Sequence, residues 1–173
     1  SFLNEIVNKE NLDQPHLILN KLRESVKRTL GQTGKEGEAK DGMDIALCVI
    51  DKDKMKLQFA GANNPLFVVR QQELISIKAD HMPIGYYLVM KPFQNNEFDL
   101  LPGDMLYTFS DGYEDQFGGT ENSKFKVKRF KELLVTISQK PLEEQRQILD
   151  DTIEEWKGIY DQIDDILVVG IKV

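Results

Sequence analysis

Leu101-Pro-Gly-Asp-Met-Leu-Tyr-Thr-Phe-Ser-Asp-Gly-Tyr-Glu-Asp115 reads as a turn, a strand and a second turn that carries an acid at its corner. Pro102-Gly103-Asp104 is turn chemistry, residues 105–109 are apolar and β-forming, and Gly112 lets the backbone reverse directly after Asp111. The same grammar recurs near the end of the chain, where Asp164-Asp165 precede the apolar run Ile166-Leu-Val-Val-Gly-Ile171. Carboxylates presented at strand ends suit a hard divalent cation such as Mg²⁺ or Mn²⁺, which prefers oxygen donors. Alone, an Asp-Gly pair is ordinary turn chemistry and an acidic pair an ordinary solvated face. The wider pattern has to decide between these readings.

Upstream of that stretch, residues 97–101 are expected to pair with 105–109 as a hairpin across Pro102-Gly103. Short apolar or alternating runs at 43–50, 55–60, 66–70 and 74–77 are separated by Asp51-Lys-Asp53, Gly61-Ala-Asn-Asn-Pro65 and Gln71-Gln-Glu73, which predicts an antiparallel meander. Before them, Ile18, Leu19, Leu22, Val26 and Leu30 recur at helical spacing behind Asp13-Gln-Pro15, so residues 15–30 are expected to be helix. Residues 31–42, with Gly34, Gly37 and many charges, read as a solvated loop. Downstream, two helices are expected at 128–138 and 142–156, separated by Pro141, and a closing strand at 166–173. Helices and strands thus come in blocks, and the fold class is α+β, with helices layered on antiparallel sheet.

The chain opens on Ser1-Phe-Leu-Asn-Glu-Ile-Val7, the middle or end of an amphipathic helix with neither an initiating Met nor a cap, so the expectation is a fragment. Its 173 residues and 40% hydrophobic content suit one packed domain. Against 29 acidic side chains there are 22 Lys and Arg, a net charge of −7 that argues against nucleic-acid binding through a broad basic surface. A local basic stretch runs from Lys124 to Lys131. The lone cysteine, Cys48, excludes a disulfide framework and a Cys-based zinc cluster and suits a cytoplasmic location. No apolar run in these residues is long enough to span a membrane, and no charged-then-apolar leader among them suggests export, so neither is expected. His16 at a helix start and His81 in a loop are read as ordinary surface residues, and Asp44 at a strand start as structural.

Five ordered segments carry a family resemblance: Asp41-Gly-Met-Asp-Ile-Ala-Leu47, Leu57-Gln-Phe-Ala-Gly-Ala-Asn-Asn-Pro65, Met82-Pro-Ile-Gly85, Gly103-Asp-Met-Leu-Tyr-Thr-Phe-Ser-Asp-Gly112 and Asp164-Asp-Ile-Leu167. In that order the chain resembles the metal-dependent protein phosphatases of the protein phosphatase 2C superfamily, in the bacterial stage II sporulation protein E branch. The resemblance implies an αββα sandwich of antiparallel sheets flanked by helices, incomplete at the N-terminus, with residues 1–173 as the C-terminal larger part of a single phosphatase domain. It implies two Mn²⁺ or Mg²⁺ ions in the complete domain and hydrolysis of phosphoserine or phosphothreonine on a signalling protein by metal-activated water. Asp111 and Asp164 match the family's metal-binding acids, with Gly112 and Asp165 beside them at the metal site, and Asn63 and Asn64 fall in a loop that would contact substrate.

The resemblance also implies departures. The family's metal-bridging Asp belongs to an Asp-x-x-Gly-His-Gly-like segment upstream of the first helix here, and two ions about 3.5–4 Å apart require it. Metal binding by these residues alone is therefore expected to be weak or absent, and the fragment inactive. Ser110 stands where Thr is frequent in the family, and Leu167 where Thr or Ser is common. The partners implied are a phosphorylated protein and an upstream sensor or regulatory domain, with no nucleic acid and no membrane contact; exposed sheet edges further suggest self-association. The competing function is a catalytically silent phosphatase-like module that recognises a protein or transmits a signal.

Overall fold

Pro15 begins a helix at little cost because the first-turn N–H it lacks has no helical acceptor, and Gly31 ends that helix in the left-handed region at φ 65°, its N–H donating to Arg28 O. The computed structural model describes residues 2–9, 12–38 and 41–173; positions 1, 39 and 40, on which parts of the expected first helix and solvated loop fall, lie outside the described residues. In chain order the elements are α1 (Phe2–Lys9), α2 (Pro15–Leu30), β1 (Ile45–Asp51), β2 (Lys56–Ala62), β3 (Leu66–Arg70), β4 (Glu73–Ile77), β5 (Asn96–Asp99), β6 (Met105–Phe109), α3 (Gly112–Asp115), β7 (Phe117–Gly118), β8 (Ser123–Lys124), α4 (Val127–Ile137), α5 (Leu142–Lys157) and β9 (Val168–Lys172). Helices and antiparallel sheets are both present, as the block pattern implied.

The chain divides into two units, Ser1–Leu66 with Ile77–Leu101, and Phe67–Ser76 with Pro102–Val173. In the first, antiparallel strands run in the order β1-β2-β5. The apolar face of α2 (Ile18, Leu19, Leu22, Val26) packs with Ile6, Ala60, Ala62, Met82, Ile84 and Phe93. Arg23 is buried there, its Nη1 donating to Lys91 O at 2.8 Å and its Nη2 to Asn20 Oδ1 at 3.1 Å, and its guanidinium lies 4.8 Å from the centre of the Phe93 ring. Those acceptors and the ring compensate the burial of a cation. Cys48 lies on β1 half-buried, and burial pushes its thiol up to about 11.

The second unit holds the sheet β4-β3-β6-β9 and the small hairpin β7-β8. Its core is rich in aromatic rings: Phe67, Tyr107, Phe109, Tyr113, Phe125 and Phe130 are all buried. Phe109 meets Phe130 edge-on at 5.0 Å, and Tyr113 stacks on Phe130 at 4.6 Å. The Tyr107 hydroxyl donates to Gln145 Oε1 at 2.6 Å, giving two buried polar groups to each other. The basic stretch 124–131 is largely engaged within the unit: Lys124 pairs with Asp115, Arg129 lies over Trp156 and Lys131 over Phe67.

Two expected pairings are overturned. β5 and β6 form no hairpin, because β5 pairs with β2 and β6 lies between β3 and β9. The strands that flank β6, β3 and β9, are largely apolar, whereas Glu97 and Asp99 of β5 lie beside β2, where Lys56 pairs with Asp99. The four-strand meander is likewise split, with β1 and β2 in one sheet and β3 and β4 in the other. Asn63 at φ 59° and Pro65, which has no N–H for a ladder, interrupt the chain between β2 and β3. α3 falls where the sequence suggested only a turn, and β7 and β8 lie in a stretch to which the sequence assigned no element. His16 is half-buried rather than exposed, with Nδ1 lacking a protein partner.

Candidate metal centre

The acidic corner of the second unit follows from the antiparallel pairing of β6 with β9. That pairing aligns Phe109 with Val168, so the exit of β6 lies beside the entry to β9. Three hydrogen bonds clasp the two ends: Ser110 N–H donates to Leu167 O at 3.0 Å, Leu167 N–H donates to Ser110 Oγ at 2.9 Å, and Ser110 Oγ donates to Asp165 O at 2.7 Å. Gly112 closes the contact. A Cβ on that residue would stand 2.4 Å from the Asp165 carbonyl oxygen, so only hydrogen fits. Asp111, Gly112, Asp164 and Asp165 are thereby brought to one corner.

α3 is a single turn that starts at Gly112, with Asp115 N–H donating to Asp111 O at 3.0 Å. Tyr113 anchors it. Its ring is buried between Phe125 and Phe130, and its hydroxyl donates to Leu149 O on α5 at 2.8 Å. The Asp111 side chain makes no capping bond to this turn and is exposed, as are both acids of the second loop. Asp165 N–H donates to Asp164 Oδ1 at 2.7 Å, and Gln162 Nε2 donates to Asp164 O at 2.7 Å. The first acidic loop is thus shaped by a backbone bond and the second partly by the Asp164 carboxylate itself, and all three acids remain exposed.

Glu114 sits behind the corner, half-buried, and its Oε2 lacks a protein partner. Burial pushes its carboxyl above the ordinary value; the Asp115 and Asp111 charges add to this, and Lys131 and Lys124 partly oppose it. The donors at the corner are all oxygen, which fits a hard dication and not a thiolate- or imidazole-preferring metal. They form part of a shell only, since among the described residues no three His, Cys, Asp or Glu side chains are grouped to hold an ion. Water and further ligands would have to complete it.

The substrate-loop pair lies in the other unit. Asn63 is exposed, its N–H donates to Asp80 O at 2.9 Å, and its Nδ2 donates to Asp44 Oδ1 at 2.8 Å. Asn64 is half-buried, and its carbonyl oxygen lies 2.5 Å from where a Gly61 Cβ would be. Asp80 in turn is fixed by Gln94 N–H donating to its Oδ2 at 2.9 Å. One contributor escaped the sequence. Ser110 looked like a mere replacement for Thr, yet its hydroxyl makes the clasp, and the structural role read for Asp44 takes the form of a bond that holds the Asn63 amide.

The comparisons match this mixed fold of helices and antiparallel sheets to PP2C-type phosphatase domains. The profile of the family described as Stage II sporulation protein E (SpoIIE) matches residues 1–173, and the chain belongs to that family. Among solved structures, the SiaA-PP2C domain of Pseudomonas aeruginosa is 26% identical at a TM-score of 0.87, covering 99% of this chain and 65% of that one. The PP2C phosphatase domain of the cell fate determinant SpoIIE from Bacillus subtilis, solved with a fragment of its regulatory domain, is 18% identical at a TM-score of 0.74, covering 99% of this chain and 47% of that one. The serine/threonine phosphatase of S. agalactiae, 17% identical at a TM-score of 0.60, covers 88% of this chain and 67% of its own. The chain thus spans 65% of the length of the SiaA domain. No curated protein sequence matches significantly.

Proposed function

We propose that these residues form the larger, C-terminal part of a Mn²⁺- or Mg²⁺-dependent phosphatase domain that removes phosphate from phosphoserine or phosphothreonine on a signalling protein. The observation that carries this reading is the clasp, in which Ser110 and Gly112 close on Asp165 so that Asp111 and Asp164 share one exposed corner. Membership of the SpoIIE family supports it. So does the fold relative from B. subtilis, a SpoIIE phosphatase domain whose structure was determined after presoaking with Mn.

Asp111 and Asp164 would hold the cation, with Asp165 and Gly112 setting the loop around them. A dication bound there would neutralise charge on the phosphoryl oxygens and activate water for in-line attack. The protein's own part is placement. The Asp165 N–H occupies one oxygen of the exposed Asp164 carboxylate, while the Ser110 hydroxyl keeps the two acidic loops from parting. The Asn63 amide, held by Asp44, retains an acceptor and one N–H with which to meet a phosphopeptide main chain.

In this reading residues 1–173 alone bind the cation weakly and turn over no substrate, because Asp111 and Asp164 leave most of an oxygen shell to water. A regulatory or sensor segment in the same polypeptide and a cytoplasmic location complete the proposal. No helix among the described residues is long and apolar enough to cross a membrane. The silent-module reading draws on the same incompleteness, since fewer than three ligand-type side chains are grouped among the described residues. Phosphate release from a phosphoserine peptide, with and without Mn²⁺, by a longer polypeptide that contains this chain separates the two. Mn²⁺-dependent release that Asp111→Asn lowers by about 100-fold or more is the expected result. A folded wild type that releases no phosphate from several peptides would transfer the assignment to the silent module.

A further inference from the structure

Residues 158–167 run from the end of α5 to the start of β9 without helix or strand, and they carry Asp164 and Asp165. Gly158 and Tyr160 donate back into the last turn of α5, to Glu154 O and Lys157 O, each at 3.0 Å. Beyond them the loop is gripped from outside at two carbonyls: Ser110 Oγ donates to Asp165 O at 2.7 Å, and Gln116 Nε2 donates to Asp161 O at 2.9 Å. Ser110 and Gln116 stand on either side of α3, with Asp111 between them. One short segment therefore presents the first acid and holds the second acidic loop both before and after Asp164.

Gln116 is fully buried, 0% exposed, and its Oε1 has no protein partner. Its Nε2 also donates to Phe117 O at 2.9 Å, so both N–H groups are used and the amide cannot turn over without setting its oxygen against two carbonyls. An apolar side chain of the same length would fill this space without burying an unpaired oxygen. Asp161 is exposed, and water would serve its carbonyl equally well. What the bond supplies is position rather than relief of a buried group. Gln116 is itself fixed, since its carbonyl oxygen accepts Phe125 N–H at 2.9 Å and Trp156 Nε1–H at 3.1 Å. We propose that Gln116 is a positioning residue of the acidic corner, which through Asp161 sets where Asp164 stands relative to Asp111 and so how tightly the pair takes up a divalent cation. For its metal this inference rests on the phosphatase reading above, and it adds to that reading the residue that tunes the affinity.

The test is Gln116→Met in a longer polypeptide that contains this chain. Methionine keeps the length of the side chain and removes both the donors and the buried oxygen, so the melting temperature should stay within about 5 °C of the wild type. The dissociation constant for Mn²⁺, read from the paramagnetic resonance signal of the free ion, should rise about tenfold. The Mn²⁺ concentration that gives half-maximal phosphate release should rise with it, while kcat at saturating Mn²⁺ and KM for the peptide stay near wild type. In the metal-free protein the Asp165 amide, bonded to Asp164 Oδ1, should exchange hydrogen faster, and the Gly119 and Phe125 amides should not. A merely structural role would lower the melting temperature and kcat together and leave the Mn²⁺ dissociation constant unmoved, which would overturn the proposal. If Gln116→Met does not fold, Gln116→Asn, which keeps the amide on a shorter stem, carries the same expectation. Two unfolded variants would show that the residue holds the core rather than the loop, and would also overturn it. A wild type that binds Mn²⁺ and releases phosphate beside an indifferent variant sinks the role of Gln116 alone. A wild type that does neither sinks the phosphatase reading and this inference together.

Discussion

The Asn63 corner of the first unit and the Asp111 corner of the second both turn the chain directly after a strand, yet they are secured by different physics. Asn63 is exposed and held by a left-handed backbone, one N–H bond to Asp80 O and a side-chain bond to the carboxylate of Asp44. Asp111 is followed by a glycine pressed against a carbonyl, a buried tyrosine among phenylalanine rings and a hydroxyl shared between two loops. Surface hydrogen bonds compete with water and contribute little each, whereas close packing resists displacement steeply. The first corner can therefore adapt to a ligand while the second keeps its geometry.

Three substitutions would break or sharpen that contrast. Gly112→Ala should have the largest effect, a loss of about 3 kcal/mol, because the new Cβ meets backbone 2.4 Å away that has no flexible end to yield. Urea unfolding measures it, and a loss below about 0.5 kcal/mol would show the clasp to be loose. Tyr113→Phe keeps the ring stack but removes the donor to Leu149 O. It should cost about 1 kcal/mol in the same assay. Asp44→Ala should be smallest, within about 0.5 kcal/mol, because both partners of its bond are exposed. A destabilisation equal to that of Tyr113→Phe would mean that the two corners are secured alike.

Local chemistry was legible where one residue decides the outcome. Pro15 and Gly31 bound a helix whose limits the apolar spacing also indicates, and the runs at 66–70 and 105–109 emerge as β3 and β6 with the same limits. Partner choice was not legible in this way. Pro102-Gly103 looks like a hairpin turn, but the strands it joins pair with distant segments instead, β5 with β2 and β6 with β3 and β9, and a local turn signal carries no information about such partners. The acids at 111 and 164–165 stand out as residues, while their convergence rests on a hydroxyl at 110 and a carbonyl at 165. A carbonyl has no letter in a sequence. The single helical turn at Gly112–Asp115 is too short to leave a period, and its Tyr113 shows its purpose only beside Phe125 and Phe130.

Cys48 has a practical consequence for measurements on this molecule. With its thiol pushed up to about 11 by burial on β1, Cys48 is held almost wholly in the thiol form near neutral pH. Alkylating reagents attack the thiolate, so a second cysteine introduced on the surface will take a fluorophore or spin label long before Cys48 does. The natural sequence is thus its own labelling background, and distances across either unit can be measured without first replacing the native thiol.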